Sequence, residues 1–145
     1  MAQVREILAK KGEQVYSIGK NATILEAARV MNQHKIGALV VIEGGRVEGI
    51  FTERDVLRRV VGEQRNPATT KVAEVMTTDV ACCQPDTPIE EAASVMKHHR
   101  IRHLPVVGPD RRLHGMISIG DINAHHADNQ AVQIHFLNEY LYGRT

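Results

Sequence analysis

The stretch NATILEAARVMNQHKIGALVVI, residues 21–42, returns 65 positions later as DTPIEEAASVMKHHRIRHLPVV, residues 86–107, with 10 of its 22 positions identical. Ordinary residue usage would give roughly one or two such identities by chance. The shared residues are Ile24/Ile89, Glu26/Glu91, Ala27/Ala92, Ala28/Ala93, Val30/Val95, Met31/Met96, His34/His99, Ile36/Ile101, Leu39/Leu104 and Val41/Val106. After a one-residue insertion near Arg111 the match resumes as Gly49/Gly115, Thr52/Ser118 and Asp55/Asp121. The chain is an internal duplication.

Working outward from this stretch, Ile24, Ala27, Ala28 and Met31 fall at i, i+3, i+4 and i+7, as do Ile89, Ala92, Ala93 and Met96. Each set is a helix with one buried face, and Thr23 or Thr87 is a capping residue near its start. An apolar strand follows, at 38–42 or 104–107. A turn at Gly44-Gly45 or Pro109-Asp110 leads to a second strand, 46–52 or 113–119. A further helix begins at Glu53 or near Asp121, and short strands at 15–18 and 80–83 open the units. The expected class is α+β: two β-α-β-β-α units packed about a pseudo-twofold axis, since units of about 60 residues cannot each bury both faces. The expected organisation is a first repeat at 1–64, a linker at 65–71, a second repeat at 72–126 and a C-terminal amphipathic helix at 127–145. The last rests on Ile134, Leu137, Tyr140 and Leu141.

Composition narrows the function. The chain has 145 residues and a formal charge of +1, so no general field draws it to nucleic acid or to an anionic membrane. No apolar run approaches a membrane span, and the charged N-terminus lacks the apolar core of a secretory signal. The expectation is a cytoplasmic protein. Cys82 and Cys83 are neighbours and read as small strand residues, not as a disulfide. Eight histidines raise a metal-binding module as an alternative, but none are paired at zinc-site spacing on one clear helix. No nucleophile, base and orienting group share a convincing spacing, and no Walker-type loop is present, so the chain does not read as an enzyme.

Binding chemistry gathers where each second strand meets its following helix. Thr52 and Asp55 combine a hydroxyl, a carboxylate and the free amides of a helix start. Such a group favours a phosphate and can accept both hydroxyl protons of a ribose diol. The same spacing also suits a simple helix cap. Arg54, between them, offers a fork of donors to phosphate oxygens. Ser118 and Asp121 repeat the arrangement, but with Ile119-Gly120 in place of Glu53-Arg54, so the two sites should be unequal.

These features together resemble the tandem cystathionine β-synthase (CBS) domain pair over about residues 4–125. The resemblance rests on DTPIEEA at 86–92, HRIRHLPVV at 99–107 and the two closing Thr/Ser-x-x-Asp segments. It implies a regulatory module that binds AMP, ATP, NAD(H) or S-adenosylmethionine between its repeats and dimerises, with no catalytic cofactor, an unknown regulated protein and AMP as the leading ligand. It makes Asp55 and Asp121 the ribose anchors and Thr52, Arg54 and Ser118 phosphate contacts. Arg102 and His103 then reach phosphate in the Asp55 pocket, while Lys35, and with it Arg100, marks the same turn as a cation cluster, Lys35 facing the other pocket. Adenine would lie among Ser17, Ile18, Ile36, Ala81, Cys82 and Ile101. A protein-interaction scaffold with vestigial pockets is the rival reading.

Overall fold

A computed structural model describes residues 2–12 and 14–129. The elements are α1 (Val4–Lys11), β1 (Ser17–Ile18), α2 (Ile24–His34), β2 (Ala38–Glu43), β3 (Arg46–Thr52), α3 (Glu53–Asp55, continuing as a π-helical segment, Val56–Val61), α4 (Val72–Val75), α5 (Ile89–His99), β4 (His103–Val107), β5 (Leu113–Ser118) and α6 (119–129). The amphipathic tail expected at 127–145 falls, beyond residue 129, outside the described residues.

The repeats fold alike where their sequences agree. α2 and α5 bury Ile24, Ala27 and Met31, and Ile89, Ala92 and Met96 respectively, the stripe set by the 3.6-residue period. Both helices end on a left-handed residue, Lys35 (φ 55°) and Arg100 (φ 55°), where glycine is the usual choice. β2 and β3 form an antiparallel hairpin, as do β4 and β5. Each has a register shift at the matching place, Val41/Ile42 and Val106/Val107. Gly44 and Gly45 both have positive φ, which a two-residue hairpin turn requires and only glycine accepts cheaply. The longer second turn places Arg111 at φ 65° and absorbs the inserted residue.

Three expectations need correction. Residues 80–83 form no strand; only Cys83 makes an isolated parallel bridge, to Val106. The opening strand of the first repeat is confined to Ser17–Ile18, paired parallel with Val40 and Val41. Thr23 caps α2 by accepting from Glu26 N at 3.1 Å. Thr87 instead accepts from Gln84 N at 2.9 Å, and Pro88 occupies the cap of α5. Proline's fixed φ suits that position, and the side-chain oxygen is spent on the preceding turn.

The repeats exchange their leading segments. α1 packs on the second repeat: Val4, Ile7 and Leu8 join a core with Ile89, Met96, Leu104 and Ile117. Its backbone is tied there by Val4 N to Thr87 O and Ile89 N to Ala2 O. α4 packs on the first: Val72 and Val75 join Ile24, Met31, Leu39 and Phe51, tied by Ile24 N to Thr70 O and Val72 N to Ala22 O. A third cluster, Val40, Val47 and Val107, lies between the two sheets. Each core is thus completed by chain from beyond its own repeat, so apolar burial, the dominant favourable contribution to folding, couples the two units.

Candidate functional site

Two cavities lie along the junction of the repeats. The first, about 250 Å³, is lined by Thr52, Glu53, Arg54 and Asp55 from the end of β3 and the start of α3, and by Arg58 and Arg59 from its π-helical continuation. Across it stand Arg100, Ile101, Arg102 and His103, from the turn between α5 and β4, with Thr77 and Asp79–Ala81 forming a third wall. The second, about 370 Å³, is lined by Lys35, Ile36, Gly37 and Ala38 and, opposite, by Met116, Ile117 and Ser118. Gln14, Val15, Tyr16, Lys11 and His103 complete it.

The capping arrangement that the spacing allowed is formed in both repeats. Thr52 N donates to Asp55 Oδ2 at 2.9 Å and Asp55 N to Thr52 Oγ1 at 3.4 Å. Ser118 N donates to Asp121 Oδ2 at 2.8 Å and Asp121 N to Ser118 Oγ at 3.1 Å. Glu53 N bonds Gly37 O, and Ile119 N bonds Arg102 O, both at 3.0 Å. Each helix start is therefore pinned to the helix-to-strand turn of its own repeat, and across the first cavity the start of α3 faces the α5–β4 turn of the second repeat. The cap occupies one carboxylate oxygen only. At Asp55, which is 8% exposed, Oδ1 has Arg59 Nε at 3.8 Å, too long for a hydrogen bond. The Arg59 guanidinium instead donates to Val75 O at 2.9 Å.

The electrostatics of the first cavity are lopsided. Five arginines line it against Glu53, Asp55 and Asp79. Among the described residues, Arg54, Arg58, Arg100 and Arg102 have no carboxylate within 4.0 Å. Guanidinium groups left unpaired around a concavity are the arrangement that accepts phosphate oxygens. Burial pushes the His103 imidazole below its ordinary value, partly opposed by the nearby Glu53 carboxylate, which favours the neutral ring at the cavity.

Of the residues singled out from sequence, Thr52, Arg54, Asp55, Arg100, Arg102, His103, Ala81 and Ile101 converge on the first cavity. Lys35, Ile36 and Ser118 line the second. Ser17, Ile18 and Cys82 line neither, whereas Tyr16, Val80 and Ala81 do. Sequence reasoning missed Arg58 and Arg59, whose visible signal was their place one turn after Arg54 on the same helix. It also missed Lys11 and Tyr16, which arrive from outside the repeated stretch. Tyr16 stacks on His34, ring centroids 3.8 Å apart. The thiols take no part: burial raises Cys82, and burial reinforced by Cys82 pushes Cys83 up to about 12. Among the described residues no three His, Cys, Asp or Glu side chains gather as a metal site, and no helix is long and apolar enough to cross a membrane.

The comparisons with known proteins agree with this architecture. The CBS domain family model matches residues 4–62 and again 72–127. The CBS domain-containing protein YhcV of Bacillus subtilis is 36% identical over 118 residues, covering 81% of this chain and 83% of the relative. A solved protein with CBS domains from Burkholderia ambifaria superposes with a TM-score of 0.84 at 37% identity, covering 89% of this chain and 96% of the other. The CBS domain pair of protein MJ0100, solved in complex with 5-methylthioadenosine and S-adenosyl-L-methionine, has a TM-score of 0.79 at 25% identity and covers 89% of this chain and 98% of its own. Duplicated units, exchanged leading helices and clefts between facing turns are thus explained together: the chain belongs to the CBS domain family, as a tandem pair of its domains.

Proposed function

We propose that this chain is a cytoplasmic adenine-nucleotide sensor that works by binding and not by catalysis, with the nucleotide held in the Asp55 cavity. The observation that carries the reading is the set of unpaired arginines that share that cavity with a buried carboxylate. Asp55 Oδ1 accepts the ribose hydroxyls, and Arg54, Arg102 and His103 meet phosphate, with Thr52 supplying a hydroxyl. Ala81 and Ile101, with Val80, give adenine apolar walls. AMP is the expected ligand, ahead of ATP and NAD(H). Ser118, Asp121 and Lys35 mark the second site, weaker or empty, with Ile36 on its wall. The adenosine ligands bound to the CBS pair of MJ0100 support this ligand class.

The module acts as a homodimer whose arrangement shifts with ligand. Leu57 and Val61, four residues apart on the π-helical segment, are 64% and 63% exposed, an apolar pair suited to a twofold contact. Light scattering should give about twice the 16.1 kDa chain mass; a monomer throughout the micromolar range refutes the dimer. Thermal melting tests the ligand. Nucleotide at 100 times its Kd should stabilise the fold by about 2.7 kcal/mol. If AMP, ATP and NAD(H) all leave the melting temperature unchanged, the reading gives way to an interaction scaffold.

A further inference from the structure

The Asp121 cavity differs from its counterpart by a residue that the repeat does not contain. Lys11, the last residue of α1, places its ammonium 2.7 Å from Asp121 Oδ2 and donates at 2.9 Å to Met116 O. Lys11 lines the cavity, while Asp121 is absent from its lining. The ammonium shares Asp121 Oδ2 with the cap donor Ser118 N, so the carboxylate expected to receive a ribose diol is already paired with an internal cation at the edge of the cavity. Two of the three ammonium donors are used, both on atoms of the same repeat.

The reason lies in helix length. α1 and α4 play equivalent parts, each docking on the other repeat's core. Leu8 of α1 packs on Gly115, where an added Cβ would come within 2.8 Å of Leu8 Cδ2. After α4, Met76 Sδ and Thr77 O hold the same place over Gly49, both 2.8 Å from the position of such a Cβ. But α1 has 8 residues and α4 has 4. At 1.5 Å per residue the longer helix extends about 6 Å further, enough to carry Lys11 to Asp121. α4 ends at Val75, and the following chain only walls the Asp55 cavity.

We infer that Lys11 is an internal occupant of the second nucleotide site: its ammonium lines that cavity and neutralises Asp121 where a ribose diol would approach, and so limits the chain to one nucleotide, held at Asp55. This rests on the nucleotide reading above and goes beyond it by assigning the inequality of the sites to α1. Removal of the ammonium frees the carboxylate for a second diol-bearing nucleotide.

Isothermal titration and native mass spectrometry with AMP decide the matter, using the full chain, Lys11→Met, Lys11→Arg and the double variant Lys11→Met/Asp121→Ala. Methionine keeps the unbranched stem against β5, and circular dichroism checks each fold. The expected result is one AMP per unaltered chain, two for Lys11→Met, one again for the double variant and one for Lys11→Arg, which restores the cation. Two equivalents on the unaltered chain, or one on folded Lys11→Met, overturns the inference and leaves the nucleotide reading intact. If the unaltered chain binds none but Lys11→Met binds one that Asp121→Ala removes, the Asp55 assignment falls and the Lys11 inference stands. No binding by any variant overturns both.

Discussion

Asp55→Ala separates a capping residue from a ligand anchor. In the fold, Asp55 Oδ2 accepts from Thr52 N at 2.9 Å, so its loss removes a cap in a buried position. The expected cost is about 1–2 kcal/mol, a fall in melting temperature of roughly 3–8 °C for a chain of this size. Asp121→Ala removes the matching bond from Ser118 N at 2.8 Å and should cost a similar amount. The two variants diverge only in binding. A hydrogen bond to a charged group contributes about 1.5–3 kcal/mol, so losing the diol acceptor at Asp55 should weaken AMP and adenosine alike by about tenfold to a hundredfold. Asp121, covered by Lys11, should leave the affinity of the single site within about twofold. Titration calorimetry on folded protein, with melting curves beside it, supplies both readouts. If Asp55→Ala lowers the melting temperature but leaves AMP affinity unchanged, Asp55 is a cap and nothing more, and the ribose assignment is wrong.

The remaining expectations follow from the same geometry. Arg54→Ala should weaken AMP roughly tenfold or more and adenosine little, a contrast that paired titrations would show and that equal losses for both ligands would contradict. Arg100→Gly relieves a left-handed non-glycine residue at φ 55° and should raise stability by up to about 1 kcal/mol. It should also weaken nucleotide binding by removing a cation from the cavity, so an unchanged affinity would count against Arg100 as a ligand contact. His103 is held neutral by burial, its folded value lying below the ordinary 6.5. The unfolded chain then binds the extra proton first, so this contribution to stability is complete above about pH 6.5 and is lost as pH falls through the folded value. Replacement of His103 by Gln should flatten that part of a stability-versus-pH curve. With Cys83 pushed up to about 12, its thiol should react with a maleimide at pH 8 about a hundredfold more slowly in the native than in the unfolded protein, and Cys82, raised by burial, should be slowed in the same direction.

The sequence alone determined the duplication, the buried stripes of α2 and α5, the two hairpins and the recurrence of Thr52-x-x-Asp55 as Ser118-x-x-Asp121. These are local properties: helical and strand periods, glycine turns and capping boxes depend on residues a few positions apart. The unequal sites were also foreseeable, since Arg54 has Gly120 as its counterpart. Only the tertiary structure decided which segment completes which core. α1 docks on the second repeat and α4 on the first because each presents an apolar face that its own unit does not cover. Nothing in the local pattern of Val4, Ile7 and Leu8 names the sheet they will meet. The same exchange brought Lys11 to Asp121, 110 positions away, and gathered Arg58, Arg59, Arg100 and Arg102 around one cavity. The expected strand at 15–18 shrank to Ser17–Ile18, and that at 80–83 did not form, for a related reason. Ladder pairing depends on the neighbouring strand, and at the junction of the sheets Cys83 alone is in register to bridge to Val106. The chemistry of each candidate residue was written in its type, but the composition of each cavity was set by packing between distant segments.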